Sequence, residues 1–162
     1  MITTVTLNVA VDKSYVVDEL RKGEVMRVRK CTNTPGGKGL NVARVIKSCG
    51  EDVIATGFVG GHTGALVEDL LKKEQVPFDF THTLSETRTC INVLDKKGTS
   101  TEFLEPGGEI SKKEIEDFLE RFEKLISISD VVTISGSVPK GVRTDFYVKL
   151  ITMVKEKGKK VI

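Results

Sequence analysis

The segment Thr34-Pro35-Gly36-Gly37-Lys38-Gly39-Leu40-Asn41-Val42-Ala43-Arg44 gathers residue types that a small polar ligand needs. Its three glycines let the backbone approach a ligand closely, and a helix starting there points its free amides at the same spot. Such a turn favours an anion or a polyol. Lys38 adds positive charge, and Asn41, on the first helical turn, offers a hydroxyl both a donor and an acceptor. No Gly-Lys-Ser/Thr follows four variable residues, so this is not a Walker A loop, and no G-x-G-x-x-G has the spacing of a Rossmann turn. From the residues alone the segment is a loop for an anion or a sugar, or a structural glycine turn.

The elements around that turn alternate strand and helix. Residues 3–9 are β-branched and apolar in alternation and predict a first strand that Asp12 closes. Residues 24–34 alternate again and are broken by Pro35-Gly36-Gly37, after which LNVARVIKSCG predicts a helix ending at Gly50. VIATGFVG (53–60) predicts the next strand. Thr63 opens a helix with Leu66, Val67, Leu70 and Leu71 on one face. Segments 88–95 and 100–105 alternate around Lys96-Lys97-Gly98-Thr99 and predict a hairpin. Ser111 and Glu114 form a capping box ahead of Ile115, Phe118, Leu119, Phe122 and Ile126 at helical spacing. VVTIS (131–135) predicts a buried strand, and Thr144 to Lys157 a helix stopped by Gly158, with Phe146, Leu150, Ile151 and Val154 inward. Val161-Ile162 then begins a further strand, so more chain is expected to follow and to cover apolar faces of the last helix.

Such alternation implies an α/β fold with a parallel sheet covered on its faces. The hairpin and residues 24–34 are extra β structure with one wet face, suited to a small lid over the sheet's carboxyl edge.

Composition narrows the function. The chain has 162 residues, 39% hydrophobic and 30% charged, enough for one domain with a core. Its formal net charge of +2 is spread along the sequence, with no block of like charge for nucleic acid or a membrane surface. A small-molecule ligand is expected. Cys31, Cys49 and Cys90 are widely spaced, with no C-x-x-C pair and no histidine placed to complete a zinc site, which fits a reduced cytosol. No basic stretch precedes an apolar one at the N-terminus, and no apolar run nears the roughly 20 residues that span a bilayer, so a soluble cytoplasmic protein is expected. His62 and His82 fit surface positions, and Cys90 fits a packed thiol with no paired base.

The turn TPGGKGLNVARV resembles the first signature of the PfkB, or ribokinase-like, carbohydrate kinases. Five further segments match that family in order: TLNVAVD, GFVGGHTG, TRTCINV, TEFLEPG and ISGSVPKG. The first, third and fourth are most similar to 1-phosphofructokinases and tagatose-6-phosphate kinases. The resemblance implies a three-layer α/β/α fold with a mainly parallel sheet and a small β lid. Residues 1–162 would be the N-terminal portion of one kinase domain, with lid segments about 12–34 and 87–105 and the C-terminal half missing.

It also implies ATP- and Mg2+-dependent phosphorylation of a ketohexose phosphate, either fructose 1-phosphate or tagatose 6-phosphate, to a bisphosphate. Carried over by position, Asp12 would accept hydrogen bonds from sugar hydroxyls, and Gly37, Lys38 and Asn41 would line the same sugar. Arg88 would pair with the substrate phosphate through its forked guanidinium, Ser137 would join it, and Arg27 would be a weaker lid contact. Pairing of lids would make a homodimer.

Two features depart from the family. Some relatives have a basic lid residue where Glu102 stands, which leaves the phosphate to Arg88. The second signature, Gly-Ala-Gly-Asp, does not occur in the 162 residues. Its Asp is the family's base and its turn an anion hole, so this chain alone is expected to be inactive, with ATP and Mg2+ bound mainly elsewhere. The alternatives are a non-catalytic sugar-phosphate-binding fragment and a ribose or nucleoside kinase.

Overall fold

The computed structural model describes every residue, Met1–Ile162, and builds two sheets. Largely buried runs of β-branched residues, threonines among them, make the first. Strand β1 (Ile2–Thr6) pairs in parallel with β4 (Val53–Gly60) and β8 (Val131–Ile134). Strand β5 (Thr81–Thr83) extends the sheet beside β4, and β9 (Lys160–Val161) extends it beside β8, giving the order β5-β4-β1-β8-β9.

Helices cover both faces, as a parallel sheet requires. Helices α1 (Lys38–Ser48) and α2 (Gly61–Lys73) pack Leu40, Ala43, Val67 and Leu71 against Val53, Ala55 and Val59. Helices α3 (Lys112–Ile128) and α4 (Phe146–Glu156) pack Phe118, Phe122, Ile126, Leu150 and Val154 against Val5, Phe58 and Val132. Alternation along β4 sends Phe58 to one core and Val59 to the other. The Phe118 ring lies 4.9 Å from Phe58 and 5.7 Å from Phe122, centroid to centroid. The α/β fold with a mainly parallel sheet, expected from the alternation of elements, is therefore present.

The second sheet has the order β3-β2-β6-β7, from β2 (Ala10–Val16), β3 (Lys30–Gly36), β6 (Arg88–Leu94) and β7 (Ser100–Leu104). The β2–β6 pair is parallel, while β3 and β7 flank it antiparallel. Four connections run between the two sheets or their helices: Leu7–Val9, Gly37, Leu84–Thr87 and Glu105–Ser111.

The capping box is formed, with Ser111 Oγ accepting from the Glu114 amide and Glu114 Oε2 accepting from the Ser111 amide. Glu114 Oε1 also accepts from the Leu84 amide at 2.7 Å, tying the helix start to the connection that leaves β5.

Several boundaries differ from expectation, α4 among them, which begins at Phe146 rather than Thr144. The first strand does not run through residues 3–9: β1 ends at Thr6, and Asp12 lies inside β2 rather than closing β1. Of residues 24–34 only those from Lys30 onward are strand, and β3 continues through Pro35 and Gly36. Proline is tolerated there because β3 is an edge strand, so its missing N–H leaves no partner unpaired. Helix α2 starts at Gly61 rather than Thr63, because the Glu86 carboxylate, distant in sequence, accepts from the Thr63 amide and caps the end.

In the last helix, Ile151 is only partly buried, and Val148 is 64% exposed while Phe146, Leu150 and Val154 are buried.

Candidate functional site

A cleft of about 670 Å³ opens between the carboxyl edge of the first sheet and one face of the second. Its floor is the end of β1 (Thr6), the connector residue Asn8, the turn Gly37-Lys38 with Asn41 on the first turn of α1, and Gly136-Ser137 beyond β8. Its wall is the second sheet. Cross-strand register explains which side chains form that wall. Asp12 pairs with Thr34 and Cys90, and Cys90 with Leu104, so these four share a face. The next row on that face is Ser14, Asn92 and Glu102. Members of both rows line the cleft.

Of the residues singled out from sequence, Asp12, Gly37, Lys38, Asn41, Arg88 and Ser137 line this one cleft. Arg27 does not; it is exposed in the connection between β2 and β3. Asn8, Thr6, Ser14, Asn92 and Thr34 were not singled out as ligand contacts. Asn8 and Asn92 carried a signal, each as a strand-averse amide within an apolar run.

The helix start is open to a ligand. Gly37 occupies the N-cap position of α1 with φ 112° and supplies no side chain to the first-turn amides. A Cβ at Gly37 would lie 2.5 Å from Thr6 Cγ2, and one at Gly39 would lie 2.4 Å from Thr6 Oγ1. Glycine therefore lets α1 begin directly against β1, with uncapped N–H groups and the positive end of the helix dipole at the cleft.

Arg88 is fixed by backbone oxygens. Its Nη1 donates to Glu105 O at 3.1 Å and its Nη2 to Asn8 O at 3.2 Å, while its Nε is buried without a partner. No carboxylate neutralises it through a salt bridge, so its charge remains for a ligand. Ser137 Oγ accepts from Asn8 Nδ2 at 3.1 Å, and Tyr147 of α4 donates to Gly136 O at 2.9 Å, which steadies that loop.

Burial pushes the Asp12 carboxyl up from the usual aspartate value, against the pull of Arg88 and Arg44 and with help from Glu102. Burial likewise raises the Cys90 thiol, which is therefore a packed group rather than a ready nucleophile. The cleft thus holds cations at Lys38 and Arg88 and carboxylates at Asp12 and Glu102. No group of three or more His, Cys, Asp and Glu side chains could hold a metal ion. No helix is long and apolar enough to cross a membrane.

Known proteins share this fold. The chain is 44% identical over 158 residues to a tagatose-6-phosphate kinase of Staphylococcus epidermidis, covering 98% of this chain and 51% of that protein. A solved Thermotoga maritima protein described as a possible 1-phosphofructokinase superposes with a TM-score of 0.94 at 34% identity, over 99% of this chain and 52% of its own. Escherichia coli phosphofructokinase-2 in complex with fructose-6-phosphate superposes with a TM-score of 0.93 at 29% identity, over 99% of this chain and 53% of its own. The chain spans about half the length of these relatives. The pfkB family carbohydrate kinase model matches residues 5–162, which makes the chain a member of the PfkB family of carbohydrate kinases.

Proposed function

We propose that this chain forms the sugar-phosphate-binding part of a kinase that converts fructose 1-phosphate or tagatose 6-phosphate to the bisphosphate. The observation that carries the reading is the convergence of Asp12, Lys38, Asn41, Arg88 and Ser137 on one ligand-sized cleft at an uncapped helix start. Asp12 and Asn41 accept and donate to sugar hydroxyls. Lys38 lines the same sugar, and the Arg88 fork and Ser137 take the phosphate, which suits a site with no salt bridge to Arg88. The second sheet acts as a lid that excludes water from the acceptor hydroxyl. In the assembled enzyme two such lids pair to make a homodimer.

ATP supplies the phosphoryl group. These residues do not fit a dedicated magnesium site, since no cluster of three ligating side chains exists, and the binding role proposed here does not depend on the ion. The 162 residues contain no Gly-Ala-Gly-Asp, so the proposed base and nucleotide contacts must be supplied by other residues, and this chain alone turns over no substrate.

Isothermal titration with fructose 1-phosphate, tagatose 6-phosphate and fructose, beside a coupled ATP assay, tests this. Binding of a phosphorylated sugar without turnover is the expected result. Failure to bind either phosphate overturns the substrate class, and turnover by the chain overturns its inactivity.

A further inference from the structure

The geometry points to Asn8 as a positioning residue that turns Ser137 into a hydrogen-bond donor for the ligand's phosphate and registers it against Arg88. This role rests on the sugar-phosphate reading of the cleft. Asn8 lies in the Leu7–Val9 connector between β1 and β2, where the chain passes from one sheet to the other. It is buried, at 9% exposure, in a run otherwise apolar, and a buried amide needs partners.

Its partners belong to both sheets. The Asn8 carbonyl accepts from Arg88 Nη2 at 3.2 Å, and its Nδ2 donates to Ser137 Oγ at 3.1 Å. Its Oδ1 is held against Gly107, where a Cβ would come within 2.4 Å. One residue therefore holds a lid arginine with its backbone and a first-sheet serine with its side chain.

The direction of the second bond matters. A serine hydroxyl has one proton and two acceptor positions. Because Nδ2 donates to Ser137 Oγ, the serine proton is left free, and Ser137 is exposed at the cleft. An anion there receives that proton alongside the Arg88 fork. Asn8→Asp keeps the shape and reverses the polarity: the carboxylate takes the serine proton and places a negative charge behind it. Asn8→Ala only removes the donor.

The test uses Asn8→Ala, Asn8→Asp, Ser137→Ala and the Asn8→Ala/Ser137→Ala double variant, each titrated with fructose 1-phosphate and tagatose 6-phosphate. Asn8→Ala is expected to weaken binding about tenfold and Asn8→Asp about a hundredfold, the size of losing a hydrogen bond to a charged group and then opposing it. The double variant binds no more weakly than Ser137→Ala. Equal losses for Ala and Asp, or losses that add fully in the double variant, overturn the role, since a merely structural asparagine gives that pattern. Loss of the folded state in both Asn8 variants, read by thermal melting, also overturns it. Absence of binding by the unsubstituted protein instead removes the sugar-phosphate reading itself.

Discussion

Asp12 and Gly36 are in direct contact across the β2–β3 pair: a Cβ added at Gly36 would lie 2.3 Å from Asp12 Oδ1 and 2.4 Å from its Cγ. The absent side chain of one residue is the space that the carboxylate of the other occupies. Gly36→Ala therefore rotates Asp12 out of place. Because the colliding atoms are the movable end of a side chain, stability should change by less than about 1 kcal/mol while sugar-phosphate affinity falls at least tenfold. Gly57→Ala is the contrasting case, since its Cβ would meet the Thr6 backbone oxygen; it should cost about 3 kcal/mol or more. Denaturant melts and titration calorimetry on both variants separate the two effects.

Asp12 should also trade stability for binding. Its carboxyl is raised by burial, so the folded state holds its proton to higher pH than the unfolded state does. Stability contributed by this group falls as pH rises from the ordinary aspartate value through the raised one. Asp12→Asn should therefore melt higher than the unsubstituted protein at neutral pH, with the gap closing below the ordinary aspartate value, and should bind sugar phosphate at least tenfold more weakly. A lower melting temperature for Asp12→Asn at pH 7 would contradict this.

Arg88→Lys keeps the charge and loses the fork. A lysine cannot donate to Asn8 O and Glu105 O together in the same plane while facing a phosphate. Affinity for phosphorylated sugars should fall at least tenfold, with little change for fructose. Parallel titrations of the two ligand types check it.

Glu114 carries an opposite pH signature. Burial acts to raise its carboxyl, but hydrogen bonds from the Ser111 and Leu84 amides and the Ser111 hydroxyl outweigh it and hold it below the usual glutamate value. Its stabilisation is complete above the ordinary glutamate value and is lost as pH falls through the lowered one. Glu114→Gln should cost roughly 1–3 kcal/mol at pH 7, and the cost should shrink in acid. A cost independent of pH would remove the charged hydrogen bonds from the account.

How much of this was legible depended on how local the cause was. Helix α3 was readable because its capping box and its Phe118, Phe122 and Ile126 stripe all lie within one segment. Strand β4 and the β6–β7 hairpin were readable for the same reason. The break between β1 and β2 was not, because Leu7, Val9 and Ala10 are as strand-like as their neighbours; only packing onto two sheets divides them. Strand β5 is three residues long and exists through pairing with β4. At the site, Gly37, Lys38 and Asn41 announced themselves by composition, whereas Arg88 looked like any charge on a hairpin. Its two carbonyl partners come from Asn8 and Glu105, and no sequence pattern reports that meeting.

Three of the four connections meet at Asn8, which lies in one of them: the Gly37 turn packs beside it and Gly107 closes against its amide, while Gly108 is pressed on Ser85 of the fourth. The two sheets are thus stitched together around one buried asparagine, like two leaves sharing a rivet. A Cβ at Gly107 would lie 2.4 Å from Asn8 Oδ1 and one at Gly108 2.4 Å from Ser85 Cβ, so added volume there presses on the seam between the sheets rather than on the groups proposed to hold the sugar.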